Sequence, residues 1–292
     1  MKSLLVLIGV VLVCGVTGCS EDDPHPPPLP LTQTRIVRGK ELVTGFASCG
    51  FCHAKGGKIT SPLSGGREVS DEYGEVTAPN ITFSESGLNS WNQNDILHLF
   101  RSQLTPDDSV VSSRLHGGYE WLADSDISAI TGYIRSLPAV NNEIERRSVS
   151  FLARNTTGFF KARRQVSGYV PEILPRFKGA VGQYLADQVA NCGSCHNSPS
   201  ELLSSVAEWG GGSEITIDGE TKIAPNITSS KTSGIGMWSE SDIQRYFRTG
   251  STPTGKNIDP RFCPVEFYKQ APPSDIEAVA LYVKSIFPID VE

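Results

Sequence analysis

The chain has 292 residues, 38% of them hydrophobic and 20% charged, which is the composition of a globular protein and enough length for two ordinary domains. This composition argues against collagen, simple disorder and a polytopic membrane protein. Because 26 basic residues face 32 acidic ones, the formal net charge of -6 gives nucleic-acid binding no electrostatic support. Seven cysteines against two methionines are the unusual count, and the cysteine spacing is the most informative feature of the sequence.

The amino terminus, residues 1–18, has the layout of a secretory signal. Lys2 precedes an apolar run at residues 4–13 that is too short to span a bilayer as a mature helix. The run leads into Val16-Thr17-Gly18-Cys19, which resembles a bacterial lipoprotein signal and implies that Cys19 carries lipid and that Cys14 is discarded. A plain secreted protein is the alternative. We therefore expect a membrane-anchored lipoprotein on the bacterial periplasmic side.

After an acidic, proline-rich tether at residues 19–34, the sequence contains two copies of one unit. The repeat predicts two domains, residues 35–140 and 179–292. The joining segment, residues 141–178, is basic and aromatic, and it is either a strap over the domain interface or a solvated linker. The paired stretches are Cys49-Gly50-Phe51-Cys52-His53 with Cys192-Gly193-Ser194-Cys195-His196, Ala78-Pro79-Asn80-Ile81-Thr82 with Ala224-Pro225-Asn226-Ile227-Thr228, and Trp91-Asn92-Gln93-Asn94-Asp95-Ile96 with Trp238-Ser239-Glu240-Ser241-Asp242-Ile243.

Helical patterns fall in the same places in both copies, which predicts an all-α fold. An apolar-periodic segment precedes each cysteine motif, at residues 36–47 and 181–190, and another follows each paired tryptophan. A closing helix is predicted in each copy, and in the second copy Ser274-Asp275-Ile276-Glu277 has the pattern of a capping box. The Gly-, Ser- and Pro-rich loops between the helices, such as residues 56–75, show little of the alternation that indicates a sheet.

The motif Cys-x-x-Cys-His is the attachment pattern of c-type haem. On a helix, thiols three residues apart face the same side and reach the two vinyl groups of one porphyrin, and the following histidine binds the iron from below. A zinc site needs four ligands and a thioredoxin-like dithiol needs a βαβ context, and neither pattern is visible. The motifs predict two covalently bound haems c, one held by Cys49, Cys52 and His53 and the other by Cys192, Cys195 and His196.

The two copies resemble class I cytochrome c domains, in the order found in two-haem cytochromes that accept electrons from periplasmic alcohol, sugar-acid or sulfur-compound dehydrogenases. The resemblance implies two tandem class I domains with long loops wrapped around covalent haems. It also implies a sixth iron ligand, a methionine followed by proline, shortly before the last helix of each domain. The matching stretches are Arg38-Gly39-Lys40-Glu41-Leu42-Val43, Gly65-Gly66-Arg67, the paired Pro-Asn-Ile-Thr segments and Gly234-Ile235-Gly236-Met237-Trp238.

The first copy departs from the family at that sixth ligand, because it contains no methionine. Alignment of the copies puts Arg114-Leu115-His116 on Arg261-Phe262-Cys263, where the methionine is expected. His116 is therefore the predicted distal ligand of the first haem. The alternatives are an open iron and His98, which falls on the side of its helix that we expect to face solvent.

In the second copy the same alignment makes Cys263 the predicted distal ligand. It precedes Pro264 as the family's methionine precedes its proline, and proline holds the residue before it extended. The alternatives are Met237, in the loop before a paired tryptophan, and no protein ligand, with Cys263 a small buried hydrophobe. With Cys14 removed, Cys19 lipidated and four cysteines on haem, no pair of thiols remains for a disulfide.

These ligands predict function as well as geometry. Imidazole and thiolate lack the potential-raising effect of methionine, so we expect both haems to have lower potentials than a His/Met cytochrome. Six-coordinate irons suit an electron carrier between a periplasmic donor dehydrogenase and a downstream acceptor cytochrome or oxidase, more than a stand-alone enzyme. The alternative is an enzyme resembling dihaem thiosulfate dehydrogenases, which would use the Cys263-ligated haem beside Lys256, Arg261 and Lys269. A redox or gas sensor with one open iron is a third possibility.

Overall fold

The structure is a computed structural model that describes residue 30 and residues 32–150, 152–153, 165–198, 208–217 and 219–290. The predicted signal with Cys14 and Cys19 lies outside the described residues, as do most of the tether and residues 154–164 of the joining segment. None of the described helices has both the length and the apolar character needed to cross a membrane.

The first repeat, residues 35–140, folds around helices that begin and end close to the predicted positions. Helix α1 begins after Thr32, whose side chain accepts a hydrogen bond from the Arg35 backbone N–H. Helix α3 begins at a capping box in which Asn92 and Asp95 bond each other's backbone N–H groups. The helices are α1 Gln33–Thr44, α2 Gly50–His53, α3 Gln93–Ser102 and α4 Asp124–Ser136.

The second repeat, residues 179–292, reproduces this order. Its helices are α5 Lys178–Tyr184, continued by a π-helical turn at Leu185–Val189, then α6 Gly193–His196, α7 Glu240–Thr249, α8 Val265–Tyr268 and α9 Pro273–Ser285. The capping box predicted at Ser274 is wrong. Helix α9 begins at Pro273 without a side-chain cap, because proline fits the first helical turn with its fixed φ and missing N–H.

The first and last helices of each repeat cross at a glycine. A Cβ atom on Gly39 of α1 would lie 1.9 Å from the Ala129 carbonyl oxygen of α4, and one on Gly182 of α5 would lie 1.9 Å from the Ala278 carbonyl oxygen of α9. Only glycine permits such a close approach of two helix backbones. Each repeat is therefore held together by the same kind of helix crossing.

The structure is mainly helical, but it contains two small antiparallel hairpins that the all-α prediction missed. In the first repeat β1 Glu68–Asp71 pairs with β2 Gly74–Thr77, and in the second β3 Glu214–Ile217 pairs with β4 Glu220–Ile223. Gly74, directly after the first turn, has φ +104°, and Gly219, within the second turn, has φ +76°, so glycine supplies a positive φ at each chain reversal. Each hairpin is too short to produce a long alternating pattern in the sequence.

The two repeats share one hydrophobic core. Phe46, which is 2% exposed and lies just before the first cysteine motif, packs against two rings of the second repeat. Its ring centre is 5.4 Å from that of Phe247 and 5.3 Å from that of Tyr268. A second contact joins the hairpins, where Val69 and Ile217 are buried in one cluster. The cysteine motifs are thus positioned by both repeats.

The described part of the joining segment makes several contacts with the first repeat. The guanidinium of Arg147 forms an ion pair with Asp71, at the end of β1. Farther along, the Val166 N–H donates to the Arg101 carbonyl oxygen at 3.1 Å, and the Val170 N–H donates to the Asp124 carboxylate at 3.1 Å. At its end, Lys178 pairs with Glu277 of the second repeat at 2.7 Å, so the described residues of the segment contact both repeats.

Candidate functional site

Each cysteine motif forms one turn of helix, entered in the same way. Ser48 and Asn191, the residues before the first cysteines, have φ of 42° and 46°, the left-handed conformation that redirects the chain. The turn then closes when the His53 N–H donates to the Cys49 carbonyl oxygen at 2.9 Å, as the His196 N–H does to its own partner at 2.9 Å. Two thiols and one imidazole are therefore grouped on a single turn in each repeat.

The histidines of both motifs are oriented by a proline carbonyl. His53 Nδ1 lies 2.8 Å from the Pro79 carbonyl oxygen, and His196 Nδ1 lies 2.8 Å from that of Pro225. Because a carbonyl can only accept, Nδ1 must carry the proton in each ring and Nε2 keeps its lone pair. Metal-binding histidines are typically held in this way through the ring nitrogen that does not bind.

The proline segments are themselves fixed by buried asparagines. Asn80, 1% exposed, accepts from the Thr82 backbone and hydroxyl and donates from Nδ2 to the Val140 carbonyl oxygen at 2.8 Å. Asn226 repeats this pattern and donates to the Ile289 carbonyl oxygen at 2.7 Å. The paired Pro-Asn-Ile-Thr segments thus tie the imidazole to the chain beyond each closing helix.

His116 lies opposite His53 in the first repeat. Their ring centres are 6.2 Å apart with an interplanar angle of 47°. Two imidazoles that bind one metal ion at roughly 2 Å each have ring centres about 6 Å apart, so this pair fits one iron. His116 Nδ1 lies 3.3 Å from the Ser112 carbonyl oxygen, which again leaves Nε2 unprotonated. His98, by contrast, is exposed and is bonded to the Ser102 hydroxyl at 3.2 Å.

Cys263 lies close to the thiols of the cysteine motif in the second repeat. It is half-buried, packs against the shared core together with Cys192, and has its Sγ 3.6 Å from the Tyr246 hydroxyl. Met237, the other candidate, is 75% exposed on the surface. An exposed side chain is poorly placed to bind a buried metal, which favours Cys263 as the sulfur ligand.

Burial sets the protonation of these groups. It raises the pKa of the Cys49 and Cys263 thiols to about 12 and that of Cys52 to about 11, so all three are protonated at neutral pH. Burial lowers the pKa of His53 to about 4 and also lowers that of His116, so both rings are neutral and able to bind a metal. Coordination by Cys263 would displace its proton, as metal binding to a thiol does.

The donor set of each repeat fits a covalent haem c. A pair of thiols and a pre-oriented imidazole lie on one turn, and a second metal-binding side chain lies across from the imidazole in the first repeat. Within the described ranges, no group of three or more His, Cys, Asp and Glu side chains is arranged to hold a metal ion by itself.

Two of the three cations near Cys263 are engaged with carboxylates. Arg261 forms ion pairs with Asp259 at 2.6 Å and with Glu220 at 2.8 Å, and Lys269 pairs with Glu266 at 2.6 Å. Their charges are directed at protein carboxylates, so they do not form the open cationic pocket that a sulfur oxyanion would need.

Comparison with known proteins finds cytochromes. The chain is 27% identical over 296 residues to the fructose dehydrogenase cytochrome subunit of Gluconobacter japonicus and 24% identical over 305 residues to the gluconate 2-dehydrogenase cytochrome c subunit of Pantoea cypripedii. It is similar to cytochrome c subunits of dehydrogenases. It is also 25% identical to a diheme cytochrome c-type of Cereibacter sphaeroides over 296 residues. The chain matches no protein-family profile.

The extent of the match differs between these cytochromes. The alignment covers 97% of this chain but 59% of the fructose dehydrogenase subunit, and 98% of this chain but 65% of the gluconate dehydrogenase subunit. It covers 98% of both this chain and the diheme cytochrome. The chain is thus shorter than the dehydrogenase subunits that it matches and similar in length to the diheme cytochrome.

Sequence reasoning missed the residues that orient the site. The carbonyl groups of Pro79 and Pro225 lie in the paired segments, so the repeat marked the right place but gave no role. Tyr246, which contacts Cys263, aligns with Leu99 of the first repeat. Because the two residues differ in chemistry, the repeat did not mark Tyr246 as part of the site. Glu72 reaches the turn before His116 through the fold alone.

Proposed function

We propose that the protein is a dihaem c-type cytochrome that carries electrons in the periplasm from a dehydrogenase to a downstream acceptor. The observation that carries the proposal is the duplicated turn, in which paired thiols accompany an imidazole whose Nδ1 donates to a proline carbonyl at 2.8 Å. The likeness to a diheme cytochrome over 98% of both chains supports two haems. The likeness to dehydrogenase subunits supports a dehydrogenase as donor.

The residues have separate roles in this proposal. The four thiols of the two motifs would hold the haems covalently, and His53 and His196 would each bind an iron. His116 and Cys263 would supply the second protein ligand of the first and the second iron. Each haem, when bound, supplies a one-electron iron couple. The protein holds the ligands in place and excludes water from them.

The shared core supports transfer of electrons between the two sites. Cys52 of the first motif packs on a buried cluster whose members come from both repeats: Val69, Ile217 and Phe262. A continuous apolar contact of this kind joins the two sites inside the protein. We propose that electrons pass between the haems across this contact.

Attachment to a membrane through Cys19 is part of the proposal and is supported by the sequence alone. The segment Val16-Thr17-Gly18-Cys19 has the pattern of a lipoprotein signal, and the proline-rich tether would hold the redox domains away from the lipid. Such an anchor would keep the cytochrome near membrane-bound donors and acceptors. Replacement of Cys19 by alanine would then release the protein into the soluble fraction.

Haem stoichiometry and electron uptake test the proposal. We expect two haems c per chain in the purified holoprotein, one after Cys192→Ser with Cys195→Ser, and rapid reduction of both haems by a dehydrogenase acting on an alcohol, fructose or gluconate. Low-temperature EPR of the oxidised protein would identify the ligands, because thiolate-ligated and bis-imidazole haems give different signals. A chain without covalent haem would refute the proposal, and thiosulfate turnover lost in Cys263→Ser would favour an enzyme.

A further inference from the structure

The tip of the first hairpin touches the turn that carries His116. Glu72, at this tip, accepts hydrogen bonds from the Ser112 hydroxyl at 2.6 Å, from the Ser113 backbone N–H at 2.6 Å and from the Ser113 hydroxyl at 2.8 Å. The Arg114 N–H lies at 3.3 Å from the same carboxylate. One half-buried carboxylate therefore gathers the donors of three consecutive residues.

The same turn orients His116 from its other side. The Ser112 carbonyl oxygen accepts the His116 backbone N–H at 3.0 Å and lies 3.3 Å from His116 Nδ1. Ser112 is 6% exposed, so water does not replace these contacts readily. A single residue thus separates the carboxylate of Glu72 from the ring of His116.

The hairpin tip is itself held in place, which a positioning role requires. The neighbouring Asp71 forms a bidentate ion pair with Arg147 of the joining segment and accepts the Tyr73 backbone N–H at 2.8 Å. The guanidinium of Arg147 also lies over the Tyr73 ring, 5.4 Å from its centre. Glu72 therefore projects from a fixed support.

We propose that Glu72 is a positioning residue for His116, fixing the turn at residues 112–114 so that the imidazole faces His53. The proposal rests on the proposed function, since positioning His116 matters only if His116 binds the first haem iron. An imidazole binds a metal along one direction in its ring plane, so a change in the turn that carries it weakens the bond. Supporting residues of metal-bound histidines commonly contribute 10- to 100-fold in affinity.

Carbon monoxide binding to the reduced holoprotein tests the proposal, because the gas binds iron only when the distal ligand leaves. We expect Glu72→Ala to increase the rate of carbon monoxide binding at the first haem about 10-fold or more, and Glu72→Gln, which keeps one acceptor oxygen, to give a smaller increase. Glu75→Ala, an exposed carboxylate on the same hairpin, is the matched control and should behave as wild type. His116→Ala provides the spectrum and rate of the fully open site.

The outcomes separate the two proposals. If His116→Ala opens the first haem while both Glu72 variants bind the gas as slowly as wild type, the positioning role is wrong and the ligand assignment stands. If His116→Ala changes nothing, His116 is not the ligand and the positioning role fails with that assignment, whereas the dihaem proposal is decided separately by the haem content of the holoprotein. Far-UV circular dichroism and the melting temperature identify a Glu72→Ala chain that no longer folds. In that case the rate of gas binding in Glu72→Gln decides whether Glu72 has the positioning role. A variant that is less stable but keeps wild-type gas binding also overturns the positioning role.

Discussion

The two hairpins hold the turns before the two proposed distal ligands, His116 and Cys263, by different means. In the first repeat one half-buried carboxylate, Glu72, accepts from uncharged N–H and O–H groups of the turn before His116. In the second repeat the fastening is a network of ion pairs, in which Asp259 is paired with Lys222 at 2.7 Å and with Arg261 at 2.6 Å. The duplicated hairpin has kept its place while its chemistry has changed.

The difference corresponds to what each proposed ligand would need. An imidazole offers a single lone pair in the plane of its ring, so its turn must be oriented as well as placed. A sulfur atom has more than one lone pair and tolerates a wider range of approach. A buried, multi-point hydrogen-bonding contact suits the first case, whereas a surface ion-pair network, which is individually weak, is sufficient for the second.

The helix crossings shared by the repeats should give the largest effect. Gly39→Ala and Gly182→Ala would each place a methyl group 1.9 Å from a carbonyl oxygen, so each should lower the free energy of unfolding by about 3 kcal/mol or more. Denaturant unfolding of the holoprotein measures this loss. Gly179→Ala is the control. A Cβ added at this position of α5 would meet no atom within 4 Å, so the substitution should be neutral or slightly stabilising. Unequal losses at Gly39 and Gly182 would break the equivalence of the two crossings.

Replacing His116 and Cys263, the proposed distal ligands, by methionine should bring the midpoint potentials of the two haems closer together. Cys263→Met places a methionine before Pro264, and we expect the midpoint potential of the second haem to rise by a sizeable part of the roughly 0.8 V range that axial ligands span. His116→Met should likewise raise the midpoint potential of the first haem. Spectroelectrochemical titration measures both. Met237→Leu is the control and should leave both potentials unchanged, because Met237 is 75% exposed. An unchanged potential in Cys263→Met would show that Cys263 is not a ligand.

Acid should weaken the fastening of the first repeat. Burial opposes ionisation of Glu72, but the hydrogen bonds from Ser112 and Ser113 outweigh it and hold the pKa of this carboxyl below its ordinary value of 4.5. A lowered pKa means that the carboxylate stabilises the fold fully above pH 4.5 and loses its contribution as the pH falls through the lowered value. Wild type should therefore be more stable than Glu72→Gln by about 1 kcal/mol or less at pH 7, with the difference shrinking in acid. A constant difference from pH 7 to pH 3 would contradict this.

Salt should discriminate between the two fastenings, with the smallest effect. The Arg261 N–H donates to the Asp259 carboxylate at 3.0 Å, and the Ser113 N–H donates to Glu72 at 2.6 Å. Raising the ionic strength screens the exposed pairs, so hydrogen exchange at the Arg261 amide should accelerate by no more than a few-fold while that at Ser113 stays constant. Equal acceleration at both amides would mean that the two fastenings do not differ in character.

The repeated sequence predicted the helices well because periodic apolar positions report on local structure. The segments before both cysteine motifs, after both tryptophans and at the end of each repeat are helical in the structure. The hairpins were missed, although Asp218-Gly219 between β-branched residues is a recognised turn signal. The capping box at Ser274 was wrong because two preceding prolines start the helix one residue earlier.

The candidate site was predictable only where residues repeat or adjoin one another. The thiols and the proximal histidine are adjacent in sequence, and alignment of the copies drew attention to His116, which the fold brings to 6.2 Å from His53. Glu72 lies 40 residues before the serine that it binds, and nothing in the local pattern joins them. Contacts of this kind depend on the packing of the whole chain, and only the structure provides them.

The ring of Phe46 has a consequence for how the duplicated chain gains its stability. It belongs to the first repeat but is sheltered by Phe247 and Tyr268 of the second, and it directly precedes the turn that carries Cys49. A chain cut between the copies would expose this ring and loosen the entry to the first motif, so the first copy depends on the second for its stability. The contact between the two copies lies in the interior of the protein, and we therefore expect the copies to unfold together rather than one at a time.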